Sequence, residues 1–337
     1  RGREWYGWFV VALLIIASLV SYVDRQVVAI VVAPMKADLG ATDSEIGWLY
    51  GIFAVFFAVA GMPIAMFADR YSRSKLIAIG IFLWSLMTAA CGIARTFTQV
   101  LLARIGVGVG EAVLTPAANS LIADLFPRER VPFAVGVFMT GSTIGSGLAF
   151  VVGGLVLGMV SNLGAVEVPL LGSLSPWQQV FVWCAVPGVV LAPLFLLLRE
   201  WRTQVGSTAV SAGATLVEIR AFYARNKATI IFHHLGFLCL SLMGFAFVFW
   251  TVSFFARVHG VEPARAAVIF GWIFMICGSL GSMWTPMLAQ RVARTGRRDA
   301  NIVAGMVGGG CAMVFITLVQ TMPSALWAFV QIGRAHV

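Results

Sequence analysis

The chain has 337 residues, of which 60% are hydrophobic and 11% charged, and its mean hydropathy is +0.93. Soluble domains carry roughly 45–50% apolar and about 25% charged residues, so a soluble enzyme, a disordered chain and a secreted disulfide scaffold are excluded. A formal charge of +9 would point a soluble protein toward nucleic acid, but in so apolar a chain the placement of the charges matters more than their sum.

Apolar runs long enough to cross a bilayer as helices, ~20 residues each, lie at about 5–33, 46–68, 75–94, 98–123, 131–159, 177–198, 228–256, 265–289 and 301–321. A tenth begins near Ser324 and stops short. The runs are continuous rather than alternating, which argues against a membrane barrel. The expected fold is therefore an all-α polytopic membrane protein with about nine full spans and a stub. With no initiator Met, the chain is expected to begin slightly inside its gene.

Lys and Arg divide unevenly between the two sets of loops. Sixteen lie on the side of Arg1, Arg73, Arg199 and Arg298, against four (Lys36, Arg95, Arg257, Arg265) on the other. By the positive-inside rule the N-terminus and the 199–227 loop are cytoplasmic, in a cell (inner) membrane, and the basic excess is a topology signal with no nucleic-acid partner implied. That loop follows six spans. It divides the chain into a six-helix half (1–198), a cytoplasmic connection (199–227) and a partial second half (228–331). Ile332–Val337 resembles the in-frame translation of a short-read sequencing adapter, and is expected to be a non-native tail on a truncated second half. The competing reading is a short basic C-terminus; under either, Arg334 and His336 are not functional candidates. The five cysteines fall in or beside spans without metal-ligand spacing, so no metal or cofactor is expected. His233 and His234 open span 7 as interfacial residues.

Four charges fall inside spans: Asp24, Arg25, Arg104 and Glu111. Each costs about 2.5–3.5 kcal/mol at the bilayer centre, so four unpaired ones would cost on the order of 10 kcal/mol. They must face one another or a water-filled cavity. Arg104 and Glu111, seven residues apart, share a helix face, whereas Asp24 and Arg25 point about 100° apart. One reading is a pair of salt bridges that only hold spans 1 and 4 together, although buried pairs are weak stabilisers. The other is a proton-coupling site, with Glu111 or Asp24 titrating and Arg104 and Arg25 as movable partners. Tyr22, Asn119, Thr140, Thr143, Trp250 and Thr251 are candidate cavity liners by polarity and position, and span 7 is rich in aromatic residues.

Two loops repeat a pattern, Ala65–Lys75 and, 221 residues later, Pro286–Arg294. They resemble the G-x-x-x-D-R-x-G-R-R loop of the major facilitator superfamily. Asp69, Arg70 and Arg73 are retained, Ala65 and Ser72 stand where the family prefers Gly, and Gln290 replaces the second acid. The resemblance implies two six-helix halves and a cytoplasmic latch loop at Asp69, Arg70 and Arg73; the alternative for the basic residues is a plain positive-inside anchor. Arg104–Ala112 resembles the superfamily's R-x-x-x-G-x-G-x-A element. Gly136, Gly145, Gly153 and Gly154 follow its antiporter element, except that Ala149-Phe150 replaces the helix-bending Gly-Pro. Tyr22-Val-Asp24-Arg25-Gln26, Gly108-Val-Gly-Glu111-Ala and Ala123-Asp-Leu-Phe-Pro127 resemble the spinster-like branch, over residues 20–200 above all. Sugar-acid permeases share a similar Asp-Arg in span 1.

The resemblance implies a monomeric secondary active transporter working by alternating access, proton-coupled, for a small organic or amphipathic lipid-like substrate. Its expected partners are that substrate, protons and the bilayer. The alternative is an organic-anion (sugar-acid type) proton symporter in which Arg25 and Arg104 clamp a carboxylate. A membrane-embedded enzyme is disfavoured, because no Ser/His/Asp set, HExxH or phosphate-binding P-loop occurs. An uncoupled channel is disfavoured by the buried charges.

Overall fold

A computed structural model describes residues 2–169, 172–199 and 216–293. The spans expected at 301–321 and from Ser324, and the tail 332–337, lie outside the described residues. Eleven helices occur among the described residues: α1 Gly2–Ile30, α2 Val32–Leu39, α3 Asp43–Arg70, α4 Arg73–Ile93, α5 Phe97–Glu111, α6 Leu114–Leu125, α7 Val131–Leu163, α8 Pro176–Leu196, α9 Leu216–Arg225, α10 Lys227–His259 and α11 Pro263–Ala293. Seven stretches of them are long and apolar enough to cross a membrane, and Pro263–Ile276 is a shorter apolar segment. The chain divides into two compact units, Arg1–Met275 and Ile276–Val337; every contact described below lies within the first.

Two expected spans are interrupted, for one reason. Span 1 breaks at Val31 and continues as α2, and span 4 breaks at Ala112–Val113 between α5 and α6. Pro34 and Pro116 stand four residues after Ile30 and Ala112. A proline ring clashes with the carbonyl four residues back and offers it no N–H, so the helix yields there.

Local chemistry sets the other ends. The Ser72 hydroxyl accepts from the Lys75 N–H at the start of α4. Thr96 with Gln99 and Ser175 with Gln178 form capping boxes on α5 and α8. Gly40 and Gly260, at φ +62 and +64, close α2 and α10 in a conformation that favours glycine. A short hairpin, β1 Val166–Val168 and β2 Gly172–Leu174, pairs antiparallel with Val166 opposite Leu174. Sequence reading did not anticipate it. Arg95 donates to the Ser173 carbonyl (2.6 Å) and Gln179 to those of Gly164 and Leu174, which pins the hairpin onto the helix ends.

The helices pack in pairs, α1 along α7, α4 along α8, and α5 against both α3 and α4. The buried apolar residues form two clusters. One takes Val10–Ala17, Ile77–Trp84 and Val107; the other takes Val27–Met35, Cys91, Val100 and Ala103. On α1, α4 and α5 the gap between the clusters holds Ser21, Asp24, Ser85, Thr88 and Arg104, all buried. The charged centre is the seam between two dry cores.

Candidate functional site

The adjacent residues Asp24 and Arg25 leave α1 in different directions. Asp24 is fully buried, with Thr88 of α4 and Arg104 of α5 as polar neighbours. Arg25 keeps 20% of its side chain exposed and donates Nε to Glu111 Oε2 at 2.5 Å. Ser21, one turn earlier, donates its hydroxyl to the same oxygen at 2.9 Å. Glu111, fully buried, is the last residue of α5 before the break in span 4.

Arg104 is buried on the same helix but does not take the Glu111 carboxylate. Its Nη1 donates to the Asp24 backbone carbonyl at 3.0 Å. The shared face of Arg104 and Glu111 thus fails to make them a pair, because α1 lies opposite and supplies Arg25 at the level of Glu111. Both oxygens of Asp24, Oε1 of Glu111 and Nε and Nη2 of Arg104 have no hydrogen-bond partner among the described residues.

Aromatic faces hold both cations. Arg25 lies over the rings of Tyr22, Phe53 and Phe57, at 5.0, 5.5 and 4.6 Å from their centroids. Arg104 lies over the same Phe53 ring, at 4.9 Å from its centroid. Ser21, Phe53, Phe57 and Thr88 were missed in the sequence. Phe53 and Phe57 are one turn apart on α3, a spacing visible beforehand but indistinguishable from core packing.

The glycines of span 4 explain how α3 and α4 come so close. A Cβ on Gly108 would lie 2.7 Å from the Phe53 carbonyl oxygen, and one on Gly110 would lie 2.8 Å from the Trp84 nitrogen. Their absence lets the backbones meet beside the charges.

Of the expected liners, Tyr22 reaches the centre. The Thr140 and Thr251 hydroxyls are turned back onto their own helices, to the Val137 and Phe247 carbonyls, because a helical threonine finds an acceptor there more readily than across a cavity. Trp250 lies under Arg257, 5.8 Å away, at the far end of span 7. The Asn119 Oδ1 is buried on α6 with no hydrogen-bond partner among the described residues. The side chains of Thr143, Asp69 and Arg70 lie outside the described residues. Arg73 forms an ion pair with Asp124, so its described bond ties α4 to α6 within the first half.

From the centre toward the Lys36 end, α3 and α10 stay in contact in layers. Tyr50 stacks with Phe249 (4.8 Å) and Phe245 (6.1 Å), and Gly47 faces the Trp250 ring. Outermost, Arg257 donates both nitrogens to Asp43, at 2.9 and 2.7 Å, and Lys36 adds a third bond to Asp43 at 2.5 Å.

Such a bundle, with its buried charges on spans 1 and 4, is matched over residues 14–335 by the Major Facilitator Superfamily model. The chain belongs to the Major Facilitator Superfamily. Among solved structures it is similar to a bacterial homologue of the human lysosomal transporter Spinster in an inward-facing, unoccupied conformation. That similarity has a TM-score of 0.74 and 27% identity, covering 86% of this chain and 64% of that one. The probable L-galactonate transporter of Escherichia coli is 26% identical over 345 residues, covering 96% of this chain and 71% of the relative. Protein spinster of Drosophila melanogaster is 25% identical over 296 residues, covering 85% of this chain and 46% of the relative. As a superfamily member the protein is a multi-pass membrane transporter and not an enzyme. Both branches expected from the Asp-Arg element, spinster-like and sugar-acid, are represented.

Proposed function

We propose that the protein is a proton-coupled secondary transporter working by alternating access, in which Glu111 and Asp24 exchange the proton and Arg25 and Arg104 are their partners. One observation carries the reading: the buried Glu111 is neutralised by Arg25 from another span, beside a second acid and a second arginine with unpartnered atoms. A buried carboxylate keeps its proton more readily when its arginine withdraws, and releases it when the arginine returns. Spans 1 and 4 moving against each other would perform that exchange. The contact of α3 with α10 at the Lys36 end closes one access route, which supports a state open toward the basic, cytoplasmic end. Asp69, Arg70 and Arg73 belong to the loop that would close that end in the other state. The protein is taken as a monomer in the inner membrane with a cytoplasmic N-terminus.

The substrate is a small organic or amphipathic, lipid-like molecule, in keeping with the spinster relatives and the aromatic residues around Tyr50. A sugar-acid anion is the second reading. It is favoured by the unpartnered Nε and Nη2 of Arg104 and by the L-galactonate and hexuronate transporters among the relatives.

The test is uptake by proteoliposomes of labelled L-galactonate, a hexuronate and a lysophospholipid, with and without a pH gradient. Uptake of at least one should follow the gradient and collapse with an uncoupler. Glu111→Gln should abolish the gradient-driven component while the protein still folds and melts cooperatively, at a lowered temperature because Arg25 loses its counter-charge. Undiminished gradient-driven uptake by that variant would refute the role of Glu111.

A further inference from the structure

Phe53 belongs to one of the two dry cores, but core packing does not account for the two cations on its ring. It is 4% exposed, and both guanidinium groups of the centre rest on its ring, Arg104 at 4.9 Å and Arg25 at 5.5 Å. Two like charges so close together repel unless something neutralises or separates them. Glu111 neutralises Arg25. Arg104 donates to the Asp24 backbone carbonyl, and its Nε and Nη2 have no hydrogen-bond partner among the described residues.

The acids within its reach are also unsatisfied. Among the described residues neither oxygen of Asp24 nor Oε1 of Glu111 makes a hydrogen bond of ordinary geometry, although Asp24 interacts with Thr88 and Arg104. A bidentate Arg–carboxylate pair is the strong arrangement for these groups. It is not formed. The ring of Phe53 is the feature that offers Arg104 an alternative, because a cation over an aromatic face is stabilised without a counter-ion. Arg25 has two further rings, Tyr22 and Phe57, so loss of Phe53 would release Arg104 far more than Arg25. The backbone places the ring: Gly108, one turn beyond Arg104, lets the Phe53 carbonyl approach to 2.7 Å from where a Cβ would stand.

We infer that Phe53 is a positioning residue that, in this conformation, holds the Arg104 guanidinium short of a direct pair with either carboxylate and leaves Arg25 as the cation bonded to Glu111, so that Arg104 engages the acids only when the spans move. The inference rests on the proton-coupling reading proposed above. The other titratable groups around the centre are Tyr22 from α1, Tyr50 from α3, Cys91 from α4 and Cys184 from α8, each interacting with Asp24, Arg25 or Arg104. None is a cation, so a charge released toward the acids on loss of Phe53 must come from Arg104.

The test needs no substrate. In purified protein reconstituted into liposomes, the infrared bands of protonated carboxyls are titrated against pH and assigned by their loss in Asp24→Asn and Glu111→Gln. Phe53 is then replaced by Leu and, through suppression of a stop codon, by mono-, di- and trifluorinated phenylalanine. Fluorination keeps the shape of the ring and weakens its attraction for cations. A cation brought closer lowers the pH at which a carboxylate takes up a proton. The assigned midpoint should therefore fall stepwise along the fluorinated series and by roughly half a pH unit in Phe53→Leu. A role confined to packing would move the Leu variant and leave the fluorinated series in place, and that result would overturn the inference. If neither Asp24→Asn nor Glu111→Gln removes a titrating band, the proton reading itself fails, whatever the Phe53 variants do.

Discussion

At the residue scale, cost and chemistry diverge most at the four charges within spans. Their expense in a bilayer singles out Asp24, Arg25, Arg104 and Glu111 from the sequence alone, and all four meet at one seam. Which acid pairs with which base was not legible. Helix periodicity places a side chain on a face, but its partner is whatever helix lies across. Glycines are the counterpart in small residues, since their spacing marks close packing without saying against what. Gly108→Val drives a methyl-bearing Cβ into the Phe53 carbonyl, a backbone atom that cannot swing away. It should cost about 1–3 kcal/mol, read as a clear fall in melting temperature in detergent. Gly136, where an added Cβ would meet nothing within 4 Å, is the control: Gly136→Ala should stay within about 0.5 kcal/mol of the parent.

At the scale of elements, apolar runs locate the spans well but pass over their breaks. Pro34 and Pro116 were present in the sequence, yet Pro63, Pro187 and Pro193 lie inside helices that continue, so a proline alone does not tell a kink from a break. The break after Glu111 ends α5 at the acid itself, where the proposed mechanism needs spans 1 and 4 to move. Between elements, the ion pair of Arg73 and Asp124 links the start of α4 to the end of α6, each side chain 12% exposed. Arg73→Ala and Asp124→Ala should each destabilise the protein by about 1–3 kcal/mol, since each removes one charge of a mostly buried ion pair. The double variant should lose less than the sum, by roughly 0.5–3 kcal/mol in a double-mutant cycle. Additive losses would show that the pair contributes no coupling and that the two residues act separately.

At the scale of the molecule, contacts run in layers from Asp43 and Arg257 through Tyr50 and Phe249 to the centre, and these layers are what the proposed mechanism makes the closed end of its route. The outer ion pair is nearly half exposed on both sides, and such pairs contribute only about 0.2–1 kcal/mol. Asp43→Asn should therefore leave uptake within a few fold of the parent. Holding the two sites together is another matter. Asp43→Cys with Arg257→Cys, in a background where the exposed Cys239 is replaced by Ser, should lose transport on treatment with a short bis-methanethiosulfonate cross-linker and recover it with reductant. Uptake unaffected by complete cross-linking would refute a gate between α3 and α10.

Much of this protein was determined by its sequence alone. Composition and the length of the apolar runs dictate a helical membrane protein, because a chain without water must satisfy its backbone internally. The cost of burying charge marks the residues of the centre, and short motifs carry the family. Tertiary structure decided the rest: Arg25 rather than Arg104 on Glu111, Phe53 between two cations, Trp250 beside Arg257 instead of at the centre, and Arg73 on Asp124. Those choices depend on which helices lie opposite and at what depth, and that depth is set by contacts between distant backbones, such as Gly108 against Phe53, that no local pattern encodes.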